Sequence, residues 1–565
     1  MTAPPTPRHQ AGTALPALPD FLGSARTDLR ARAAYSEAAG IFRIIPDAVA
    51  VPSTTSALKE LVVWAARRRV PLVPRGAGSG MGGGNVGTGV VVDLTALDGC
   101  PIEVRADAHR AYGGAGATLR DLTDEAERFG LRLPPNPSSA RFATLGGIVS
   151  TNAGGPRSVR AGNMRRWVEA VDLVTADGDA LTLRRGATPR RCPAVDRFYR
   201  DVEPLLQAAR ESILARFPRV RKSSSGYALD AWLASGDLVD LIVGSEGTLG
   251  LVTGAEFRLV RVPTRYAGIR AALVDLKSLG AIVPQLLEVD PSAVEYLDAS
   301  FLRFVGKAEP GVAGLLMVEL EGDEPDALAD RLREARHILR PHSATLEEAG
   351  DRAALEGLWD IRHAVSPILA RQEGGCRSMQ VIEDGCVPVE SLGRYIEAVR
   401  TAGQRHGMDL VMFGHAGDGN LHVNLLPDIT AAGWEERVAG LYTEVTAAVV
   451  RLGGSLSGEH GDGRLRARSL GLVFGPEIVE LFRRVKDAFD PVGILNPGVK
   501  IPAAEDRPFA SLKLGAGARP LPPDIEAGLR DIERFARFSM SRLDLADTPD
   551  PIGASPSPAT SHGSV

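Results

Sequence analysis

Apolar residues recur at helical spacing through SALKELVVWAARRRV, from Ser56 to Val70, and Ser56 stands where a helix cap is wanted. The next segments, PLVPRG and GVVVDL, are short, continuously apolar and rich in β-branched residues, so they read as buried strands. Helix and strand alternate in this way across the first half of the chain, which predicts an α+β or α/β fold. Near Arg261 a fresh series begins with VPTRYAGIRAALVDL and continues to about Pro427, the pattern of a second domain. The closing piece, FRRVKDAFDPVGILNPGVKI, reads as a helix, a Pro/Gly turn and a short anchor segment. The expected division is a flexible arm over 1–25, a first domain over 26–262, a second over 263–427, a helical part over 428–502, and an extension over 503–565 that is disordered after about Asp547.

Composition narrows the function classes. A chain of 565 residues is long enough for two or three domains. Its net charge of -5 argues against nucleic acid or an anionic membrane as partner, so an acidic substrate must be met by local arginines. The four cysteines, Cys100, Cys192, Cys376 and Cys386, form no C-x-x-C pair, which argues against a zinc knuckle or an iron–sulfur cluster on these residues. The start is Pro-rich without an apolar signal core, and no segment is long enough to span a membrane. A reducing cytoplasm is the expected compartment, with peripheral attachment at the inner membrane left open.

Glycine, at 62 residues, is abundant and clustered. Arg75 to Asn85 reads RGAGSGMGGGN and contains a literal G-x-G-x-x-G at Gly78, Gly80 and Gly83. In a dinucleotide-binding βαβ unit a helix must open directly after that motif, because its free amides and dipole hold the pyrophosphate. Here NVGTGVVVDL follows, which is extended, so an NAD-type fold is disfavoured. What remains is a loop of bare amides suited to wrap a diphosphate. Two further small-residue runs, Pro134 to Gly155 and Ile242 to Gly250, share that character.

A hairpin carries the clearest chemistry. In GHAGDGNLHVN, from Gly414 to Asn424, Asp418-Gly419 is the favoured centre of a two-residue type I′ turn. That turn would set His415 opposite His422, two imidazoles on one sheet face, with Asn424 pointing the same way two residues on. A second strip, SGEHGDG, offers Glu459 as a third, oxygen ligand for a divalent metal, zinc or manganese, and leaves His460 free as a base near neutral pKa. His337, His342, His363 and His406 lack such partners in sequence and read as surface or structural.

These pieces, taken in order with TLGGIVSTNAGG, KSSSGYAL, LIVGSEGTLGLVT, LWDIR, IEDGCVP and ILNPG, resemble the FAD-linked oxidases of the vanillyl-alcohol-oxidase fold, in the branch of D-lactate, glycolate and D-2-hydroxyglutarate dehydrogenases. The resemblance runs from about Tyr35 to Ile501. It implies a PCMH-type FAD-binding domain of two α/β subdomains, a substrate or cap domain, and a C-terminal segment that returns to the flavin. By that resemblance the FAD diphosphate lies on Pro74, Arg75, Gly76, Ala77, Gly78, Ser79 and Gly80. Pro137, Ser139, Thr144, Gly146, Gly147, Ser150, Thr151, Asn152, Gly154 and Gly155 would line the ring and ribityl. Glu246, Gly247, Leu249, Gly250 and Val252 would lie towards the adenine, and Asn496 would come back from the C-terminus. No His or Cys occurs between Pro71 and Asp98, so the FAD is expected to be non-covalent.

The resemblance further implies oxidation of a small D-2-hydroxy acid, with His415, His422 and Glu459 on the metal, His460 taking the hydroxyl proton, and Arg362 and Asn424 at the substrate. Relatives specific for D-2-hydroxyglutarate carry a lysine where this chain has Ile382; Arg377 is the expected replacement and Ser366 an expected hydroxyl contact, so substrate length is open between lactate or glycolate and a dicarboxylic acid. IEDGCVP resembles longer relatives with a C-terminal iron–sulfur domain, so electrons are expected to leave by another route, to a quinone or another protein, for which an iron–sulfur partner subunit is a candidate; a homodimer is also open. Alternatives are the flavoprotein subunit of a glycolate-oxidase-type complex and an oxygen-using oxidase of the same fold.

Overall fold

A computed structural model describes residues 15–363, 369, 376–503 and 509–547. The helix expected near Ser56 spans Thr55–Arg68 and buries Ala57, Leu58, Leu61, Val62 and Ala65. Its cap is Thr54, whose hydroxyl accepts from the Ala57 amide, and Arg69 ends it in the left-handed region at φ 55°. Beside it, Ala48–Pro52 and Leu72–Arg75 flank Val90–Asp93 in a parallel arrangement. Residues 76–89 join two adjacent parallel strands without any helix, so the glycine loop replaces the usual helical crossover.

Part of the expected N-terminal arm is ordered. Gly23–Arg26 pairs antiparallel with Ala48–Pro52, the Trp64 indole donates to the Ala17 carbonyl (3.0 Å), and Leu15, Leu18 and Phe21 pack on the helix and sheet. The apolar spacing of these three residues holds the segment down despite its prolines. Residues 1–14 lie outside the described residues.

A second sheet of the first domain runs in the order Ile102–Arg105, Arg110–Gly114, Leu251–Arg258, Val168–Val174, Ala180–Arg184. The second domain is built on a seven-stranded antiparallel sheet in the order Ser343–Ala349, Arg265–Leu273, Gly314–Gly322, Ala293–Asp298, Leu410–His415, Asn420–Leu425, Gly385–Cys386. Its core joins that sheet to helices Leu279–Glu288, Leu392–Arg405 and Trp434–Arg451.

The C-terminal helical part divides between the two bodies. Helix Leu470–Phe489 enters the first domain's core beside Phe198 and Trp232. The chain then runs along Leu72–Arg75, with Leu72 and Ile494, and Asn496 and Leu72, joined by 2.8 Å backbone bonds. Helices Pro523–Arg534 and Arg542–Asp547 cover Ala31–Tyr35 with Leu521, Ile525, Leu529 and Phe538. The tail expected to be disordered lies outside the described residues. Among the described residues no helix is long and apolar enough to cross a membrane.

Candidate active site

The glycine loop and the hairpin open into one cleft, of about 1640 Å³ counted to its mouth. None of the five amides from Gly76 to Gly80 donates to an acceptor among the described residues. Five unengaged donors without side-chain obstruction fit a diphosphate. The Arg75 guanidinium turns back into the protein, onto the carbonyls of Glu37 (2.8 Å) and Tyr35 (3.3 Å).

Around this cleft stand Pro74, Arg75, Gly76, Ala77, Gly78, Ser79, Gly80, Pro137, Ser139, Thr144, Gly146, Gly147, Ser150, Thr151, Gly154, Glu246, Gly247 and Val252 on one side, and Arg362, His415, His422, Asn424, Glu459 and His460 on the other. Five expected residues do not reach the wall. Asn152 closes helix Leu145–Thr151 and accepts from the Arg165 amide (2.9 Å). Gly155 gives its amide to the Glu459 carboxylate. Leu249 is fully buried in the core, and Gly250 packs on Leu173. Asn496 donates to the carbonyls of Gly84 (2.7 Å) and Glu246 (2.8 Å), tying the C-terminal segment to the loop rather than lining the cleft. Glu246 also acts as a clip, its carboxylate accepting from the amides of Asp462 (2.7 Å) and Gly463 (2.9 Å).

The hairpin register differs from the expected one. His415 pairs with Asn420 and Phe413 with His422, because residues 416–419 form a four-residue turn with Gly419 left-handed at φ 70°. Asp418 is not a solvent turn residue: it is buried and accepts from the Ser158 hydroxyl (2.7 Å). The slip is two positions, which preserves the sheet face, so the imidazoles become diagonal neighbours and their Nε2 atoms still meet at 3.2 Å.

Glu459 Oε1 completes the group at 2.9 Å from His415 Nε2 and 3.4 Å from His422 Nε2. Outer partners fix both rings: His415 Nδ1 faces the Glu295 carboxylate (2.5 Å) and His422 Nδ1 the Glu383 carbonyl (2.7 Å). With both Nδ1 atoms donating outwards, two imidazole lone pairs and a carboxylate oxygen point at one another. Such a set is relieved only by a proton or a cation between its members. Ligands 2.0–2.1 Å from a tetrahedral ion are separated by about 3.3–3.4 Å, close to the spacings found.

Charge is arranged to match. Burial alone would raise the Glu459 carboxyl, yet Lys222, whose Nζ lies 2.6 Å from Oε2, and His415 hold it well below the usual range. Burial lowers His422, whereas His415 is raised against burial by Glu295. His460 stacks on His422 at 5.1 Å, and its Nδ1 is bonded to the Glu383 carboxylate. It is not the near-neutral imidazole expected: burial works to lower it, but Glu383 and Asp384 prevail and push it up to about 9. Glu383, shared with Arg466, is held down to about 2 despite burial. Asp384 accepts from the amides of Glu459 (3.0 Å) and His460 (2.8 Å) and from Ser457 Oγ (2.7 Å), which fixes the whole strip.

Arg362 lies at the end of helix Arg352–His363, with Nε on Glu295 (3.0 Å) and its guanidinium 4.4 Å over the Phe413 ring. Asn424 accepts from Gln380 (2.8 Å), and its own Nδ2 is buried without an acceptor among the described residues. Ile382 sits in the apolar core and Arg377 off the cleft wall, its amide on Pro427 (3.1 Å). Ser366 lies outside the described residues. Sequence reasoning missed Lys222, Glu295, Gln380, Glu383 and Asp384; only the adjacent acids Glu383-Asp384 in an apolar setting gave a signal.

Two family profiles match the chain: "FAD binding domain" over 46–184 and "FAD linked oxidases, C-terminal domain" over 263–499. The D-lactate dehydrogenase of Archaeoglobus fulgidus is 31% identical over 460 residues, 80% of this chain and 90% of that one. Glycolate oxidase subunit GlcD of Bacillus subtilis is 28% identical, covering 83% and 92%. A D-2-hydroxyglutarate dehydrogenase of Escherichia coli is 28% identical over 89% of this chain, which spans about half (53%) of that protein. The solved 4-ethylphenol oxidase from Gulosibacter chungangensis shares the fold, with a TM-score of 0.62 at 16% identity over 85% of this chain and 94% of that one. The chain thus belongs to the FAD-linked oxidases, in the branch of D-lactate dehydrogenases, glycolate oxidase subunits and D-2-hydroxyglutarate dehydrogenases.

Proposed function

We propose that the protein oxidises a small D-2-hydroxy acid to the 2-oxo acid, with non-covalent FAD on the Gly76 to Gly80 amides and a divalent cation on His415, His422 and Glu459. When bound, the flavin accepts the hydride from the carbinol carbon and the cation polarises the hydroxyl oxygen. The protein's own residues do the rest. Arg362 and the Asn424 amide, on the same wall as the histidines, bind and orient the substrate carboxylate. His460, anchored through Nδ1 by Glu383, presents Nε2 and takes the hydroxyl proton. Among the described residues, Ile382 in the core and Arg377 off the wall leave the second carboxylate of a dicarboxylic acid without a cation, which supports a short monocarboxylate such as lactate or glycolate.

The observation that carries this reading is the meeting of three acceptor atoms within 3.4 Å on the wall of the cleft that also holds the bare-amide loop. The test is anaerobic bleaching of the flavin by D- and L-lactate, glycolate and D-2-hydroxyglutarate, with and without a chelator. Bleaching by short D-acids that the chelator abolishes is expected. Bleaching by L-acids alone, or by none, overturns the reading. Slow recolouring in air would favour a quinone or protein acceptor over oxygen.

A further inference from the structure

Behind the Glu459 wall lies a second cavity, of about 880 Å³ counted to its mouth. Its charged lining is Arg165, Arg166, Arg185, Arg221 and Lys222 against the single carboxylate of Asp240. That carboxylate is already taken by Arg185, at 2.7 Å and 3.1 Å, and stands 4.0 Å from Arg165. Arg166 rests over the Trp167 ring at 5.8 Å and donates to the Arg160 carbonyl (3.2 Å), and Arg221 donates to the Val159 carbonyl (2.8 Å). Neither has a carboxylate within 4.0 Å among the described residues. A concave lining of five cationic side chains against one carboxylate, in a chain whose net charge is -5, concentrates anions.

The floor of the cavity is Lys222, whose side chain is wholly buried and whose ammonium reaches through the wall to Glu459 at 2.6 Å. The partition is one backbone thick: a Cβ on Gly154 would meet both the Glu459 carboxylate at 2.8 Å and Lys222 Cε at 3.0 Å. We infer that this cavity binds a small multivalent anion, a phosphate or a dicarboxylate, between Arg165, Arg166 and Arg221, and that the bound anion draws on Lys222 and so loosens its hold on Glu459. Binding belongs to the cavity alone; the effect on turnover rests on the function proposed above.

The test uses the FAD-loaded protein at constant ionic strength, titrated calorimetrically with inorganic phosphate and, separately, with malonate; the tighter of the two identifies the ligand class. Saturable binding is expected, weakened at least about tenfold in the Arg166→Gln/Arg221→Gln double variant. Both side chains are exposed and outside the catalytic cleft, so the variant keeps its anion-free turnover. Turnover should fall with the anion in a non-competitive manner in the parent and not in the variant. Calorimetry needs no turnover, so its result stands apart from that of the proposed oxidation. Absence of saturable binding up to about 10 mM, equal binding by the double variant, inhibition purely competitive with substrate, or loss of binding in Arg362→Lys instead would each overturn the inference.

Discussion

Each of the three histidines at the site has its Nδ1 engaged by an outer acceptor and its Nε2 turned to the cleft, and this division of labour makes single residues testable. His460→Ala is expected to abolish flavin reduction by substrate while the flavin spectrum of the bound cofactor is unchanged; retained reduction would remove His460 from the proton-transfer role. His422→Ala should lower the metal content of the purified protein measured by elemental analysis, and unchanged content would dispose of the ligand set. Glu383 raises His460, so Glu383→Gln lowers it. A base works only when neutral, so the rise of kcat/KM with pH should move to lower pH in this variant, with a lower plateau because the ring loses its anchor. Linkage has the matching sign: stability drawn from His460 is complete below its ordinary value and is lost as pH climbs towards about 9. With the proposed ligand set, cation uptake displaces the proton that His415 holds through Glu295, so chelator competition should show the affinity rising with pH.

At the level of elements, the hairpin shows how far sequence can lead. The presence of two strands, the glycine turn and the shared face of both histidines were legible from alternation and from Asp-Gly. The register was not, since a two-residue turn is favoured only while Asp418 faces water, and here Ser158 and Lys222, each more than a hundred residues away in sequence, draw it inside. The absence of a helix after the glycine loop was equally legible, because β-branched residues follow it directly. The acids behind the histidines were not, because Glu295 looks like any alternating strand residue until Ala293–Asp298 is placed beside Leu410–His415. Gly419 is where the turn can be tested: its φ is 70°, and a Cβ would lie 2.0 Å from the Val387 carbonyl oxygen. Gly419→Ala should cost about 1–3 kcal/mol in denaturant unfolding and reduce metal retention; an unchanged midpoint would refute the turn as described.

In the molecule as a whole, the first body is braced by the segment that follows residue 508. Both family profiles end before residue 500, yet residues 509–547 bury Leu521, Ile525, Leu529, Ile532 and Phe538 against Tyr35 and the first sheet, with Arg43 bridging Glu37 and Glu526. Phe538 also packs on Phe142 at 5.0 Å, in the loop that leads to Thr144 on the cleft wall. A chain truncated after residue 508 should therefore melt several degrees lower and hold FAD more weakly, measured by thermal shift and by flavin release; an unaltered truncation would show the extension to be mere decoration.

The cleft wall is assembled from strips near residues 74–85, 137–154, 246–252, 380–383, 413–424 and 459–460, drawn from both bodies. No one strip, nor either body by itself, presents the whole seat. A coenzyme settling there acts as a keystone, and during synthesis the seat is finished only after residue 460 has emerged. Complete seating of the coenzyme must then wait for both halves to fold.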